Sequence, residues 1–342
     1  MRPPRRILVV KLSAIGDVLH GIPAAVAAKE AFPGATIGWV VEGRTAEVLA
    51  GHPAIDQVFR LPRGWAKRPA ELLRLRHALC SFSADVTIDM QGLFKSALVT
   101  TLAGSRVRIG HARPEAREGS WLATNRRVAP SMPHVVERNC GLLAALGIHD
   151  VAPRFDMPRW PVARARMEQW VASLGLGSAP VVLNPGAGWS SKLWPEARFA
   201  AVAGRLLADT GKRSIVVWGG DRERALAERI AAEGHALLAP QTSLQELGEL
   251  CRLAALFISS DTGPLHLAAA VGTPCVGLFG PVPATRNGPF GSGHVTVEPA
   301  PSARPAWKDR KTDTAAMAAI GVEPVVAAAT AILTRGGLRQ AG

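Results

Sequence analysis

The turn around Asp261 has the residue types of an anion-binding site. The stretch S-S-D-T-G-P-L-H (259–266) follows an apolar run that predicts a buried strand, and small apolar residues typical of a buried helix come after it. Unpaired N–H groups and the positive dipole end make the start of such a helix favourable for phosphate. We therefore interpret Asp261, Thr262 and Gly263 as the site of a sugar-nucleotide diphosphate. His266 could be a ligand or a base, although a histidine that faces the sheet from a helix is more often structural.

A second turn, N-P-G-A-G-W-S-S-K-L-W-P (184–195), could also hold phosphate oxygens. Glycine permits a close approach of the backbone to a ligand, and hydroxyl and ammonium groups donate hydrogen bonds to phosphate. The five residues concerned are Gly186, Gly188, Ser190, Ser191 and Lys192. The spacing fits neither G-x-x-x-x-G-K-[ST] nor G-x-G-x-x-G, so the turn is neither a P-loop nor a dinucleotide fingerprint. An ordinary Gly-Ser loop is an equally good interpretation of these residues alone.

Two carboxylates follow other predicted strands. Asp17, in the stretch K-L-S-A-I-G-D (11–17), could act as a general base, or it could be a helix-start acid that interacts with the dipole. Glu223, just beyond a strand end, could accept hydrogen bonds from ribose hydroxyls, and a solvated helix start explains it equally well. Histidines, cysteines and carboxylates do not cluster at the spacing of a metal site. The sequence therefore predicts a reaction without a metal or another cofactor.

The overall composition indicates which classes of partner and which cellular compartment are favoured. Forty Lys and Arg residues against 27 Asp and Glu residues leave a net charge of +13, which favours an anionic partner: nucleic acid, an acidic lipid surface or a phosphorylated substrate. The four cysteines are far apart and form no C-x-x-C pair, which argues against a disulfide framework and fits a reducing cytoplasm. The apolar run at 7–10 predicts a first strand rather than a signal peptide, because Lys11 and Asp17 interrupt any longer apolar region.

Alternating strands and helices must position these turns. Apolar runs predict four main strands in each half of the chain, at 7–12, 36–41, 86–89 and 106–110, and at 181–184, 214–218, 254–258 and 274–279. Three prolines near 151–162 break the pattern as a linker would. We therefore predict an α/β protein with domains at 1–158 and 159–342, two facing Rossmann-like halves with a cleft between them. The last helix, to about Leu333, could pack back onto the first domain.

The turns taken together resemble glycosyltransferase family nine, the ADP-heptose:lipopolysaccharide heptosyltransferases. The resemblance runs from Ile7 to about Leu333. Its most specific pieces are K-L-S-A-I-G-D-V-L-H (11–20), the stretch 184–195 and S-D-T-G-P-L-H-L-A-A-A (260–270). The piece G-L-F-G-P-V-P-A-T-R-N-G-P-F-G (277–291) also fits the family. Three further pieces are more similar to type I than to type II members of the family: D-M-Q-G-L-F-K-S-A (89–97), A-R-E (116–118) and H-V-V-E-R (134–138).

The resemblance implies a GT-B fold and an inverting, metal-independent transfer. Asp17 matches the family's catalytic base, and Lys192 its phosphate-binding lysine. The resemblance extends the donor-binding set to Gly186, Gly188, Ser190, Ser191, Glu223, Asp261, Thr262, Gly263 and His266. The acceptor-binding set would be Ser13, Arg63, Lys67, Arg68 and Arg117. The stretch G-W-A (64–66) departs from the family pattern, because it dilutes the basic run.

The implied substrates are ADP-heptose, bound by the C-terminal domain, and Kdo–lipid A, bound by the N-terminal domain. The enzyme would then be cytoplasmic and peripheral on the anionic inner face of the bacterial inner membrane, with no nucleic-acid partner. A related family-nine transferase that uses a different sugar nucleotide or the second inner-core heptose acceptor is the main competing hypothesis. Two further hypotheses are a nucleic-acid-binding protein and a GT-B-like binding protein or epimerase. The sequence does not determine the oligomeric state.

Overall fold

The two halves of the chain fold as two compact α/β units. The computed structural model describes the backbone of residues 3–340 and the side chains of residues 3–335, so residues 1–2 and 341–342 of the predicted domains lie outside it. The boundary between the units falls between Pro158 and Arg159. Each unit contains one sheet of six parallel strands.

The N-terminal unit is built around strands β1 to β6. These strands are β1 (Arg6–Val10), β2 (Thr36–Glu42), β3 (Gln57–Leu61), β4 (Val86–Asp89), β5 (Val107–His111) and β6 (Arg126–Val128). The connecting helices are α1 (Ile15–Leu19), α2 (Ile22–Ala31), α3 (Pro69–Phe82), α4 (Phe94–Ala103) and α5 (Val135–Gly141). Short 3-10 turns cover Gly43–Leu49, Trp65–Lys67, Ser120–Ala123 and Leu142–Leu146. The core of this unit includes Trp65, which is fully buried among aliphatic side chains of β1, α3 and α4.

The C-terminal unit repeats the alternation with strands β7 to β12. These strands are β7 (Val181–Asn184), β8 (Ser214–Val216), β9 (Leu237–Leu238), β10 (Leu256–Ser260), β11 (Cys275–Leu278) and β12 (Val295–Val297). The helices are α6 (Pro161–Ser173), α7 (Glu196–Thr210), α8 (Asp221–Glu233), α9 (Leu244–Leu253), α10 (Gly263–Ala270), α11 (Ala284–Asn287), α12 (Ala315–Ala318) and α13 (Val322–Gln340). Short 3-10 turns cover Ser190–Lys192 and Pro301–Ala303. The α13 side chains Val325, Val326 and Ala329 join the core of this unit.

Both sheets have the same strand order. The N-terminal sheet runs β3-β2-β1-β4-β5-β6, and the C-terminal sheet read from its other edge runs β9-β8-β7-β10-β11-β12. This is the doubly wound 3-2-1-4-5-6 order, in which the connections leave the two central strands in opposite directions. A crevice therefore opens at the carboxyl ends of β1 and β4, and another at those of β7 and β10, where such sheets bind ligands. The Rossmann-like α/β prediction is confirmed for both halves.

Several elements follow less directly from the residue pattern. The first helical region forms two helices, α1 and α2, and Pro23 lies in the first turn of α2, where a missing N–H costs no hydrogen bond. Helix α5 ends at Gly141, and the chain continues as a 3-10 turn. Strands β6, β9 and β12 have only two or three residues, which is too short for an apolar run to identify them, and two of the three residues of β6 are exposed arginines.

Candidate functional site

A buried carboxylate, Asp261, is the centre of a cluster at the carboxyl end of β10. Its Oδ2 accepts a hydrogen bond from the Lys192 ammonium at 2.5 Å, and the two side chains are only 6% and 15% exposed. Its Oδ1 accepts from the Asn287 amide at 2.8 Å and lies 3.2 Å from Nε2 of His266. The structure therefore brings Lys192 of the 184–195 motif together with Asp261 and His266 of the 260–270 motif.

The surroundings of Asp261 keep it ionised. Burial on its own would raise the pKa of this carboxyl, but the His266 hydrogen bond and the Lys192 charge outweigh burial and hold the pKa well below its usual range. His266 is itself buried and directed at Asp261. The interpretation of His266 as a structural residue is thus the one that its contacts favour, because it orients a carboxylate.

Asn184, the last residue of β7, ties the two central strand ends of the C-terminal sheet together. Its amide donates to the Ser259 hydroxyl at 2.9 Å, to Thr262 Oγ1 at 3.3 Å and to the Gly186 carbonyl at 3.2 Å. Thr262 also caps α10, since its hydroxyl accepts from the Leu265 N–H. The turn that we assigned to phosphate is therefore held from the side of β7 as well as from its own helix.

Glu223 lies against the glycine loop rather than in open solvent. Its carboxylate accepts a hydrogen bond from the Gly219 N–H at 2.8 Å. A methyl group at Gly186 would collide with this carboxylate, so the close approach of the two residues depends on the absence of a side chain at Gly186. The glycine loop and the acidic residue, predicted independently, thus form one wall.

The two predicted phosphate-binding serines have different surroundings. Ser190 is exposed, as is Gly188. Ser191 is completely buried, and its hydroxyl donates to the Arg310 carbonyl at 2.7 Å. The donor of Ser191 is therefore already used within the protein, where it fastens the segment around Arg310 to the loop.

In the N-terminal unit, Ser13 lies in the turn between β1 and α1, and Asp17 lies in the first turn of α1. Asp17 is half-buried, and its Oδ2 accepts a hydrogen bond from the Ala14 N–H at 3.0 Å. The side-chain oxygen of Gln91, which follows β4, accepts from the Leu12 N–H at 3.1 Å and lies 3.5 Å from the Ser13 N. The turn that precedes Asp17 is thus braced from the neighbouring central strand.

Buried polar groups support this turn from below. The Lys11 ammonium, buried, donates to the Met90 carbonyl at 2.7 Å. Burial raises the pKa of the nearby Asp89 carboxyl, against the effect of hydrogen bonds from the Gly92 and Gln91 N–H groups and the Ser96 hydroxyl. Burial and the Lys11 charge lower the pKa of His111 to about 4, so this side chain is neutral at physiological pH.

The predicted acceptor-binding cations lie on two loops of the N-terminal unit. Arg63, Lys67 and Arg68 are exposed around the buried Trp65, and an open cavity of about 670 Å³ is lined by Gly43, Arg44, Arg60, Leu61, Pro62 and Arg63. Arg117 is exposed on the loop after β5, and its N–H donates to the Gly92 carbonyl at 2.9 Å. The structure places Arg63 at the cavity and Arg117 beside the Gln91–Gly92 turn.

Three amide residues of the candidate sites in the two units carry no clear signal in the sequence. Asn184, Gln91 and Asn287 all lie within motifs that carry the family resemblance, but their types alone do not mark them as site residues. An amide side chain gives no charge signal, and its role depends on a contact with a residue distant in sequence. For Asn287, the one available signal is its position in the 277–291 motif.

The described part of the chain shows neither a metal-binding cluster nor a membrane-spanning helix. Among the residues with described side chains, no group of three or more histidine, cysteine, aspartate or glutamate residues is arranged to hold a metal ion. Within residues 3–340, no helix combines the length and the apolar character needed to cross a membrane. Metal independence stays a prediction.

Comparison with known sequences identifies the family. The profile described as glycosyltransferase family 9 (heptosyltransferase) matches residues 72–315. Lipopolysaccharide heptosyltransferase 1 of Pseudomonas aeruginosa is 35% identical over 301 residues, which are 85% of this chain and 82% of that protein. Lipopolysaccharide heptosyltransferase 1 of Escherichia coli K12 is 33% identical over 304 residues, 85% of this chain and 92% of that protein.

A solved structure supports the same assignment. The E. coli heptosyltransferase WaaC with ADP superposes with a TM-score of 0.78 at 29% identity, covering 96% of this chain and 99% of that one. The fold-class prediction is confirmed by this similarity and by the two parallel six-stranded sheets. The chain belongs to glycosyltransferase family 9, the heptosyltransferase family, and is a glycosyltransferase of the GT-B fold.

Proposed function

We propose that this enzyme transfers heptose from ADP-heptose to the Kdo of Kdo–lipid A in lipopolysaccharide biosynthesis, with inversion and without a metal. The observation that carries the proposal is the Lys192–Asp261 pair, held at the carboxyl ends of the two central strands of the C-terminal sheet. Relatives named lipopolysaccharide heptosyltransferase 1 support the transfer of heptose in lipopolysaccharide biosynthesis. A solved relative carries ADP-2-deoxy-2-fluoro heptose at 30% identity, with a TM-score of 0.74 over 94% of this chain and 97% of that one, which supports the donor.

The C-terminal unit would bind the donor. The Lys192 ammonium and the N–H groups at the start of α10 would stabilise the negative charge that develops on the leaving ADP. Asp261 would accept hydrogen bonds from heptose hydroxyls, and Glu223 from the ribose. Gly186 and Gly188 would let the backbone approach the nucleotide.

The N-terminal unit would supply the base and the acceptor site. An inverting transfer needs one base, which removes the proton of the acceptor hydroxyl while the sugar–phosphate bond breaks. The carboxylate of Asp17 is the group proposed for this step. Arg63, Lys67, Arg68 and Arg117 would bind the acidic groups of the acceptor, with Ser13 beside the base.

The surplus of positive charge fits an acceptor that is anchored in an anionic membrane. A basic residue close to such a surface contributes about 1 kcal/mol of attraction. With a net charge of +13, a peripheral location on the cytoplasmic face of the inner membrane follows as part of the proposal. A vesicle-binding assay with and without anionic lipid measures this part separately.

The test of the proposed function is ADP release with ADP-heptose and Kdo–lipid A. Asp17→Asn is the informative variant, because the amide oxygen can still accept the hydrogen bond from Ala14 but cannot take a proton. We expect turnover to fall by about 10²–10⁴-fold, the usual contribution of a general base. Affinity for ADP should not change, since the ADP-binding residues lie in the other unit.

Three results contradict the proposal. Absence of transfer by the intact wild-type enzyme overturns it, and so does an Asp17→Asn variant with normal turnover. Equal or faster turnover with another sugar nucleotide, or with an acceptor that already carries one heptose, favours a different substrate within the family.

A further inference from the structure

The proposed donor site of the C-terminal unit has less free positive charge than a bound diphosphate has negative charge. Each phosphate of a nucleotide-sugar diphosphate carries a negative charge, yet the positive charge of Lys192 is balanced by ionised Asp261 at 2.5 Å. The hydroxyl of Ser191 is used in a hydrogen bond to the Arg310 carbonyl. A cation in addition to Lys192 and the N–H groups of α10 would therefore strengthen the binding of a diphosphate.

A second ammonium group, that of Lys311, lies at the same indole ring as that of Lys192. Nζ of Lys311 is 5.2 Å from the centroid of the Trp189 ring, and Nζ of Lys192 is 4.6 Å from the same centroid. Because both cations lie at one indole, an anion that binds beside this ring could contact both of them. Lys311 is exposed, so its ammonium can move to a ligand at little cost.

The segment that carries Lys311 is fastened to the phosphate loop. The hydrogen bond from completely buried Ser191 ends on the carbonyl of Arg310, the residue directly before Lys311. Arg310 and Lys311 lie within a turn, in which the N–H groups of Thr312 and Asp313 donate to the Asp309 carbonyl at 3.0 Å. The Arg310 guanidinium lies over a different ring, that of Trp307, at 4.0 Å. The attachment thus fixes the backbone at Lys311 beside the loop.

We propose that Lys311 is a second diphosphate-binding residue, which supplies the positive charge that Asp261 cancels at Lys192. This inference rests on the proposed donor. It assigns a binding role to the segment at 304–313, which contains none of the predicted site residues. Ser191 acts in it as a positioning residue, because its hydroxyl holds Lys311 in reach rather than binding phosphate itself.

The experiment is a calorimetric titration of the full chain with ADP and with AMP. For Lys311→Gln we expect ADP to bind about five- to tenfold more weakly, since an exposed charge-assisted hydrogen bond is lost. The effect should be smaller for AMP, which lacks the second phosphate, and should shrink at high salt. Lys311→Arg should keep most of the affinity. Lys308→Gln is the matched control, because this exposed lysine is three positions earlier on the same segment.

The outcomes separate this inference from the proposed donor. Wild-type protein that does not bind ADP overturns both. Wild-type protein that binds ADP with no change in Lys311→Gln overturns the role of Lys311 alone. Equal weakening by Lys308→Gln, or equal weakening for ADP and AMP, also overturns it, since either result reduces the effect to surface charge.

Discussion

Replacing Asp261 by Asn should strengthen the binding of ADP while it weakens sugar transfer. In the structure the Asp261 carboxylate forms an ion pair with the Lys192 ammonium at 2.5 Å, so an incoming phosphate must compete with this carboxylate for the same cation. Asparagine has nearly the same shape and can still accept hydrogen bonds, but it carries no charge. The substitution thus removes the competitor without emptying the site.

The magnitude follows from the short distance and the burial. Two unit charges about 4 Å apart interact with about 4 kcal/mol at an effective dielectric constant of about 20. Most of this is offset, because a freed Lys192 must be desolvated again when phosphate binds. A net gain of about 1.4 kcal/mol in binding free energy corresponds to about tenfold tighter binding of ADP. Loss of a charged acceptor for heptose hydroxyls, about 1.5–3 kcal/mol, should lower kcat/KM by about 10- to 100-fold.

The assay pairs calorimetric titration of ADP with the ADP-release assay, and thermal unfolding verifies that the variant is folded. Glu196→Gln is the control, since it removes a carboxylate from an exposed ion pair with Arg229 in the same unit and should change neither quantity. If folded Asp261→Asn binds ADP more weakly than the wild type, Asp261 does not restrain Lys192 and the reasoning is wrong.

Three further predictions concern other parts of the two units. Lys192→Gln should lower kcat by about 10²–10³-fold in the ADP-release assay, because the leaving diphosphate loses a buried hydrogen-bond donor that is positively charged; a near-normal kcat would contradict this role. Gly186→Ala should displace the Glu223 carboxylate and weaken AMP binding by about tenfold, whereas Gly204→Ala, whose added methyl meets no atom within 4 Å, should not. The folded-state pKa of His111, about 4, is below the value near 6.5 of the unfolded chain, so its contribution to stability is complete above pH 6.5 and declines towards pH 4. Calorimetric melting should therefore show a steeper loss of stability on acidification in the wild type than in His111→Gln, by up to about 3 kcal/mol.

The parts of the fold that the sequence predicts are those with local signals. The apolar runs of β1, β7 and β10 mark buried strands. Ser243 and Glu246 have the spacing of a helix capping box and mark the start of α9. In the structure the Ser243 hydroxyl accepts from the Glu246 N–H at 3.2 Å, and the Glu246 carboxylate accepts from the Ser243 N–H at 2.7 Å. Edge strands such as β6 give no such signal, because an edge strand can be short and polar.

The sequence marks candidate site residues by their type, but it does not indicate which of them are in contact. Lys192 and Asp261 are 69 residues apart, and they meet because β7 and β10 are neighbours in the sheet. Strand order depends on how the helices that connect the strands pack on the sheet. It cannot be deduced from the spacing of residues along the chain. For the same reason Asn287, 26 residues after Asp261, could not be linked to it in advance.

Trp65 changes how the basic loop of the N-terminal unit meets an anion. The indole is inserted completely into the core, and Gly64 before it adopts a left-handed conformation with φ of 74°. The backbone that carries Arg63, Lys67 and Arg68 is therefore ordered before any ligand arrives. Fixing the backbone of one residue costs about 1–2 kcal/mol of conformational entropy. Because this loop is already ordered when the protein has folded, that cost does not reduce the affinity for a ligand. Trp65, which interrupts the basic run in the sequence, thereby makes each remaining cation more effective.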